Sequence, residues 1–355
     1  MAFTQAELDN ILNAALPYYI KGKTFAQTIQ EKPLLNAMIK AQKEFSGGNQ
    51  KISIPVQGNY SVALEGYTHN DTVAYQNPTN IRRAEFFWKE LHAGITVTHT
   101  ELKIDGISVV DSTTGANTSN HSDRDVHVLT GLLENKLDDM GESWSRNFDS
   151  MLHKDGTQDP LEVPGIRALI ADDPSTGTLA GIDRATNSWW RNRSLVNLTG
   201  SGGADNSIAA SNTSQTMTRT LRKEVRQLRR YGGKPSLVIC GAGFLEKLEW
   251  EIQEKGVYTE YGFIKEGSTE IGMADITMRG VGRFLYDPML DDLNLTNRAY
   301  FIDTSKVGLM VMQGEDRKIH TPARPHDQYV LYRAMTWTGA LCAKQLNGCG
   351  VYEAK

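Results

Sequence analysis

The chain has 355 residues, 39% of them hydrophobic and 23% charged, and its formal net charge is −4. This length allows one large core or two smaller ones, and the mild acidity excludes a generally basic nucleic-acid binder. No apolar run approaches the roughly 20 residues of a membrane helix, and the N-terminus lacks the pattern of a secretory signal. Three cysteines without a C-x-x-C pair favour a reduced intracellular setting. We therefore expect no membrane partner.

The first segment predicts an arm of two short helices. Residues 6–20 carry apolar side chains at helical spacing, and Pro17 predicts the end of that helix. A second short helix is predicted from Pro33 to Phe45. Neither helix has enough surface to fold alone, so the arm must lie on the body of its own chain or on another subunit.

A long hairpin is predicted next. The segment KISIPVQ at residues 51–57 alternates apolar and polar side chains, and the stretch from Arg82 to Leu102 alternates again in pieces. Residues 66–80 between them are polar and rich in turn formers. We expect two long antiparallel strands joined by an extended loop. A lone hairpin of this length is marginal in water, which indicates a partner surface.

The stretch from Ser122 to Leu152 predicts one long amphipathic helix. Its apolar residues recur at steps of three or four and are Val126, Leu129, Leu133, Leu137, Met140, Trp144, Phe148 and Met151. At about 1.5 Å per residue, such a helix is roughly 40 Å long. A single helix of this length, apolar on one side only, predicts a structural strut.

The middle of the chain combines loops with a second amphipathic helix. Residues 163–196 are punctuated by Gly and Pro, and their Trp189 and Trp190 suit interface anchoring and core packing equally. The helix from Thr216 to Tyr231 has an apolar stripe opposite a basic side that consists of Arg219, Arg222, Lys223, Arg226, Arg229 and Arg230. The basic side suits nucleic-acid phosphates or salt bridges with a neighbouring subunit. Salt bridges are favoured, because Glu224 and Gln227 interrupt the patch.

The last third of the chain predicts an α/β unit and returning strands. SLVICG is predicted as a buried strand, and residues 242–256 as a helix. Further strands are predicted at Gly280–Leu290, Arg298–Asp303, Val307–Gln313 and in the apolar run of residues 329–345. Residues 314–328 before that run are predicted as a polar turn.

No catalytic, cofactor-binding or metal-binding residue is predicted. The loop Gly241–Gly243 lies between a strand and a helix as in a dinucleotide site, but Glu246 at the third glycine position would repel a pyrophosphate. The eight histidines show no paired metal spacing. The acidic clusters at Asp172–Asp173 and Asp287–Asp292 lie in predicted turns, where aspartate is favoured by local hydrogen bonding. We therefore expect that the chain is not an enzyme.

Several strings and their order resemble the major capsid proteins of tailed phages. The strings are GIRALIADDPSTGTLAGIDRATNSWWRNR, RFLYDPML, NRAYFIDTSKVGLMV and DQYVLYRAMTWTGALCAKQLNGCGVY. Together with the arm, hairpin and long helix, the resemblance covers essentially the whole chain. It implies an α+β fold of the HK-ninety-seven type, which also forms the floor of the herpesvirus shell.

The resemblance also implies a division into domains. They are an N-terminal arm at 1–47, an E-loop hairpin at 48–103, a first part of the P-domain at 104–199 with a spine helix at 122–152, an A-domain at 200–305, and returning P-domain strands at 306–355 with a P-loop at 317–328.

The function implied by the resemblance is self-assembly. Hexamers and pentamers would close into an icosahedral shell around the double-stranded DNA of a tailed bacteriophage, assembled in the host cytoplasm. The resemblance implies a portal as a partner and non-specific contact of the inner face with packaged DNA. Since no fused scaffold precedes the arm, it also implies a separate scaffolding protein. A decoration protein is a further possible partner. The subunit-interface candidates are Arg82, Arg83, Glu85, Lys89, Glu90, Arg219, Arg222, Arg226, Arg229, Arg317 and Arg324. The alternatives are an α/β enzyme using Gly241–Gly243, or another virion or tail protein.

Overall fold

The structure is a computed structural model of the chain. The residues that it describes are 3–4, 31–58, 60, 62–77, 80–104, 109–110, 123–211, 213–253, 276–278, 281–320 and 330–355. The predicted helix at residues 6–20 lies outside this part of the chain.

The α-helices of the described residues differ widely in length. They are α1 (Pro33–Lys40), α2 (His99–Ile104), α3 (Asp123–His153), α4 (Ile166–Leu169), α5 (Thr216–Arg230), α6 (Ala242–Gln253) and α7 (Pro288–Asp292). Among them, none combines the length and the apolar character that a membrane crossing requires.

The strands of the described residues are mostly short. They are β1 (Phe3–Thr4), β2 (Lys43–Phe45), β3 (Lys51–Gln57), β4 (Ile81–Phe87), β5 (Lys89–Thr98), β6 (Val109–Val110), β7 (Thr178–Leu179), β8 (Ile182–Asp183), β9 (Arg193–Leu195), β10 (Leu237–Cys240), β11 (Thr277–Met278), β12 (Gly282–Tyr286), β13 (Arg298–Ile302), β14 (Val307–Met312), β15 (Lys318–His320), β16 (Val330–Ala343) and β17 (Gly350–Glu353).

A six-stranded mixed sheet has the order β11-β12-β10-β13-β17-β9. Its central strand β10 is buried at every residue, because both faces of the sheet are covered. Val238 and Cys240 pack into one core cluster with α5 and α6, whereas Leu237 and Ile239 pack into a second cluster with α3 and α4. The strand predicted from SLVICG is therefore confirmed, and its alternating side chains join two separate cores.

A second sheet is built around the fourteen-residue strand β16. Its order is β15-β16-β14-β2, and β5 also pairs with β16 in antiparallel register from Thr98↔Val330 to Lys89↔Gly339. The later part of the predicted second hairpin strand, residues 89–98, is thus bonded to the body of its own chain. Only β3 and β4 form the two-stranded hairpin, with Ile54 opposite Ala84.

The predicted helix from Pro33 to Phe45 is wrong in its second half. Helix α1 ends at Lys40, and residues 43–45 form β2, which pairs in parallel with β14 at Met310–Met312. The free edge of β14 offers these three residues backbone hydrogen bonds that a helix end cannot match, so tertiary pairing overrides the local helical pattern.

Two other predicted boundaries also differ from the structure. The polar turn at 314–328 contains a strand, since β15 pairs with β16 from Lys318↔Thr336 to His320↔Ala334, and residues 321–329 lie outside the described part of the chain. The strand predicted at Gly280–Leu290 ends at Tyr286, because Asp287 caps the start of α7 by accepting the Met289 N–H at 3.1 Å.

The long helix predicted at 122–152 is confirmed as α3, which spans 31 residues. Among its described side chains, Leu137, Met140, Trp144 and Phe148 are buried on the predicted stripe. The Phe148 ring lies 4.9 Å from the ring of Trp337 in β16, which fastens the helix to the second sheet.

The N-terminus of α5 is capped by a carboxylate from another helix. Buried Glu251 of α6 accepts the N–H groups of Met217 at 3.0 Å, Thr218 at 2.7 Å and Ser211 at 3.2 Å. Glu251→Ala leaves these donors unpaired, so we expect it to lower the free energy of unfolding by about 1–3 kcal/mol in urea titrations. The matched control is Glu246→Ala on the exposed side of α6, and equal losses in the two variants would contradict the capping role.

Candidate functional site

The described residues of the loop that joins β3 to β4 expose six large apolar or aromatic side chains. Tyr60, Leu64 and Tyr75 are each at least 86% exposed, and Tyr67 is 70% exposed. Val62 and Val73 add to the same surface. We call residues 58–80 the apolar loop. Apolar patches of this kind typically mark an interaction surface.

The base of the hairpin, in contrast, is packed on its own chain. Ile54, Val56, Ala84 and Phe86 are buried in one core cluster, and the Glu85 N–H donates to the carbonyl oxygen of Ala180 at 2.9 Å. These contacts fix the direction in which the apolar loop projects.

Both members of the tryptophan pair pack within their own chain. Trp190 is a core residue, 1% exposed, and its indole N–H donates to the carbonyl oxygen of Leu179. Trp189 is half-buried and lies so close to Gly58 that a Cβ there would come within 2.7 Å of its ring. Trp189 therefore supports the start of the apolar loop within its own chain.

The charged candidates on β4 and at the start of β5 fall into two groups. Arg82, Arg83 and Glu90 are exposed. Glu85 accepts from Lys51 at 2.6 Å, and the Lys89 ammonium donates to the carbonyl oxygen of Pro160 at 2.7 Å. The second group is engaged within the chain, so the first group is better placed to meet a neighbour.

The basic side of α5 is continuous. Arg219, Arg222, Arg226 and Arg229 are exposed, as are Lys223 and Arg230. Glu224 does not interrupt them, because it is buried on the opposite side of the helix. There its carboxylate accepts two hydrogen bonds of 2.9 Å from the guanidinium of Arg193. The sequence argument that Glu224 interrupts the patch was therefore wrong, and Gln227 is half-buried beside the cations.

Of the two interface candidates in the predicted P-loop, the structure describes Arg317 only. Arg317 pairs with the adjacent Asp316 at 3.2 Å and has a positive φ of 49°, an uncommon conformation for a residue with a side chain. Arg324 lies outside the described residues.

A buried cluster of titratable groups joins α3 to the start of α7. His153 donates from Nδ1 to the backbone oxygen of Asp149 at 2.8 Å and from Nε2 to Asp287 Oδ2 at 2.9 Å. All three residues are at most 1% exposed. The Asp149–His153 spacing of four is visible in the sequence, but nothing in the sequence predicts Asp287 as their partner 134 residues away from His153.

The electrostatics of this cluster favour a protonated histidine. Burial lowers the pKa of His153, but the hydrogen bond to Asp287 and the charges of both aspartates outweigh burial and raise it above 6.5. Burial raises the pKa of Asp149 to about 6, although His153 and Lys32 partly offset this rise. Lys32, itself 2% exposed, also pairs with Glu142 at 3.0 Å. The cluster is an ionic link between α3, α7 and the start of α1.

The same cluster is the candidate metal site among the described residues. Its ligand atoms lie within 4.8 Å of one another. A metal needs a free lone pair on the imidazole, whereas Nδ1 of His153 lies 2.8 Å from the backbone oxygen of Asp149 and Nε2 lies 2.9 Å from Asp287 Oδ2, so both nitrogens are placed for hydrogen bonds to oxygen. The arrangement therefore fits an ionic link better than a metal centre.

The nucleotide-type loop at Gly241–Gly243 is filled by its own chain. A Cβ at Gly241 would lie 2.4 Å from the carbonyl oxygen of Thr296. The backbone N–H of Ala242 donates to Asp291, and that of Phe244 donates to Thr296. These N–H groups are the donors that a phosphate would need, so the glycines serve close backbone packing here.

The acidic clusters are also bound within the chain. Asp172 accepts two hydrogen bonds of 2.8–2.9 Å from the Arg298 guanidinium, and Asp173 accepts from Ser175 in a turn. Asp291 accepts from the hydroxyl of Tyr286 at 2.7 Å. Their roles are structural, as the turn pattern predicts.

The cysteine thiols are unreactive. Cys240, Cys342 and Cys349 are all buried and reduced. Burial raises the pKa of both Cys342 and Cys349 to about 12, so their nucleophilic thiolates do not form near neutral pH.

No protein-family model and no curated protein matches the sequence. The structure, however, is similar to a subunit of the cyanophage A-1(L) capsid, with a TM-score of 0.58 and 16% identity over 92% of this chain and 94% of that one. It is also similar to the capsid of a native GTA particle, with a TM-score of 0.54 and 10% identity over 94% and 93% of the two chains. The capsid of cyanophage P-SCSP1u gives a TM-score of 0.50 and 12% identity over 88% and 86%.

The chain has the HK-ninety-seven-type fold of tailed-phage major capsid proteins. The α+β fold expected from the sequence strings is thereby confirmed over nearly the full chain. At 10–16% identity the capsid likeness concerns the fold, so the domain limits and the interface residues of this capsid fold stay predictions.

Proposed function

We propose that this chain is the major capsid subunit of a tailed double-stranded DNA phage. Copies form hexamers and pentamers, which close into an icosahedral shell around the genome. The observation that carries the proposal is the likeness to the cyanophage A-1(L) capsid subunit over 92% of this chain. A separate scaffolding protein, a portal and, where present, a decoration protein are its proposed partners, and assembly takes place in the host cytoplasm.

The apolar loop supplies the physical reason for self-association. Its exposed tyrosines and Leu64 lose contact with water only if another surface covers them. A second copy of the chain is the partner always present at high concentration. Many weak contacts of this kind add up in a closed lattice, because each subunit is held by several neighbours at once.

Charge reversal on the hairpin tests the proposal. We expect Arg82→Glu combined with Arg83→Glu to abolish shells in electron micrographs and to leave a folded subunit, because both side chains are exposed and face a neighbour in the proposed lattice. Circular dichroism checks the fold.

The control for this test carries the same charge change elsewhere. Lys40→Glu combined with Arg146→Glu alters two exposed cations away from the hairpin, and shells are expected to form. Normal particles from the hairpin variant would contradict the hairpin contact. Tubes or small globular oligomers from the wild type would contradict the capsid function itself.

A further inference from the structure

Every exposed position of α5 carries a positive charge. These positions are Arg219, Arg222, Lys223, Arg226, Arg229 and Arg230. At about 100° per residue, they fall within an arc of roughly 120° on the helix. With a rise of about 1.5 Å per residue, they extend over roughly 16 Å along its axis. We call this surface the basic face.

The rest of the helix keeps the basic face free of acidic groups. Met217, Leu221, Val225 and Leu228 are buried in the core that α5 shares with α6 and the six-stranded sheet. Glu224 is turned into the same side and is bound by Arg193. The described residues offer no ion pair to any of the six cations of the basic face.

Such a face is unfavourable by itself. Like charges three or four residues apart on a helix repel one another by about 0.2–0.5 kcal/mol per pair. The negative C-terminal end of the helix dipole stabilises the charges of Arg229 and Arg230. It does not stabilise the four cations nearer the N-terminus of the helix. Because the whole chain has a net charge of −4, the basic face is a local concentration of charge and not a general property.

The charge density of the basic face matches a polyanion better than a protein surface. Six cations over roughly 16 Å give one charge per about 2.7 Å of axis, and duplex DNA carries one per about 1.7 Å. Among the α3 side chains that the structure describes, from Lys136 onward, the exposed carboxylates are the pair Asp138 and Asp139. Five of the six cations are arginines, whose planar fork binds phosphate oxygens in pairs.

We propose that the basic face of α5 binds the phosphate backbone of nucleic acid without reading its sequence. Its exposed positions carry only cations and no amide or aromatic side chain, so they offer charge and not base discrimination. The inference stands on the helix geometry and does not depend on the capsid function.

The test measures binding of the purified full-length chain to a fluorescein-labelled 30-base-pair duplex by fluorescence anisotropy, between 50 and 200 mM NaCl. The test variant is Arg222→Gln, Arg226→Gln and Arg229→Gln, since glutamine keeps the helix propensity. We expect at least about tenfold weaker binding at the lowest salt and a salt dependence reduced by about three charges. An AT-rich and a GC-rich duplex are expected to bind within about twofold of each other.

A matched control removes three exposed cations elsewhere, through Lys40→Gln, Lys43→Gln and Arg146→Gln. It is expected to bind like the wild type, because these residues lie on other elements. Absence of wild-type binding, or equal losses in the control and the test variant, would overturn the proposal. So would a test variant that binds duplex normally but loses self-association in sedimentation, because the basic face would then contact another copy of the chain.

Discussion

Replacing Tyr60, Leu64, Tyr67 and Tyr75 with serine is expected to abolish assembly and to leave the melting temperature of the unassembled subunit within about 2 °C of wild type. The four side chains are 70% to fully exposed, so the isolated subunit loses almost no packing when they are shortened. In an assembled lattice, however, burying one large apolar side chain contributes about 1.5–3 kcal/mol. The measurement combines electron microscopy of particles with calorimetry of the subunit.

The control for the apolar loop is an exposed apolar residue elsewhere. Leu161 is 72% exposed on the body of the chain, and Leu161→Ser is expected to leave both shells and melting temperature unchanged. Shells formed in normal yield by the loop variant would exclude the loop as a contact. A large fall in its melting temperature would mean instead that the loop packs on its own subunit.

Replacing His153 with leucine is expected to lower the free energy of unfolding by about 3–5 kcal/mol. The substitution leaves Asp149 and Asp287 buried side by side without the cation between them. Urea titration at pH 7 measures the loss. The double variant His153→Leu and Asp287→Asn removes one of the stranded charges and is expected to recover part of the stability, because the two residues are directly coupled.

The same cluster predicts how stability depends on pH. The folded-state pKa of Asp149 is raised to about 6, so the folded chain binds a proton that the unfolded chain releases near pH 4. The pKa of His153 is also raised, above 6.5, and its stabilising contribution is lost as the pH rises through the folded value. Stability is therefore expected to fall as the pH rises from about 4 to about 6, and to fall further above pH 6.5. Identical pH slopes above 6.5 in the wild type and His153→Leu would contradict this assignment.

Periodic side-chain patterns predicted the helices, whose backbone hydrogen bonds are local. The stripe of Leu137, Met140, Trp144 and Phe148 is enough to define α3, and the stripe of α5 is equally clear. Both helices are long enough for the helical period to repeat over several turns, which distinguishes the pattern from that of a strand.

Long-range pairing explains what the sequence could not predict. Residues 43–45 become a strand only because the edge of β14 lies beside them, and residues 89–98 leave the hairpin only because β16 is adjacent. Glu251 and Asp287 act on partners 33 to 134 residues away, at distances along the chain that no local window spans. The continuous basic face was missed for another reason: helical spacing alone places Glu224 on the side of Met217, Leu221 and Leu228, opposite the cations, and only its partner Arg193 lies beyond a local pattern.

Strand β5 is bonded along ten residues to β16, and β4 precedes it with only Trp88 between them. The Trp88 indole N–H is itself tied to the carbonyl oxygen of Asn49 at 2.9 Å, at the entry to β3. The β3–β4 hairpin is thus fixed to the second sheet by backbone hydrogen bonds and is not joined to it by a flexible linker. In the proposed shell, the backbone pairing of β5 with β16 would then set the angle between neighbouring subunits. That angle determines the curvature of the wall.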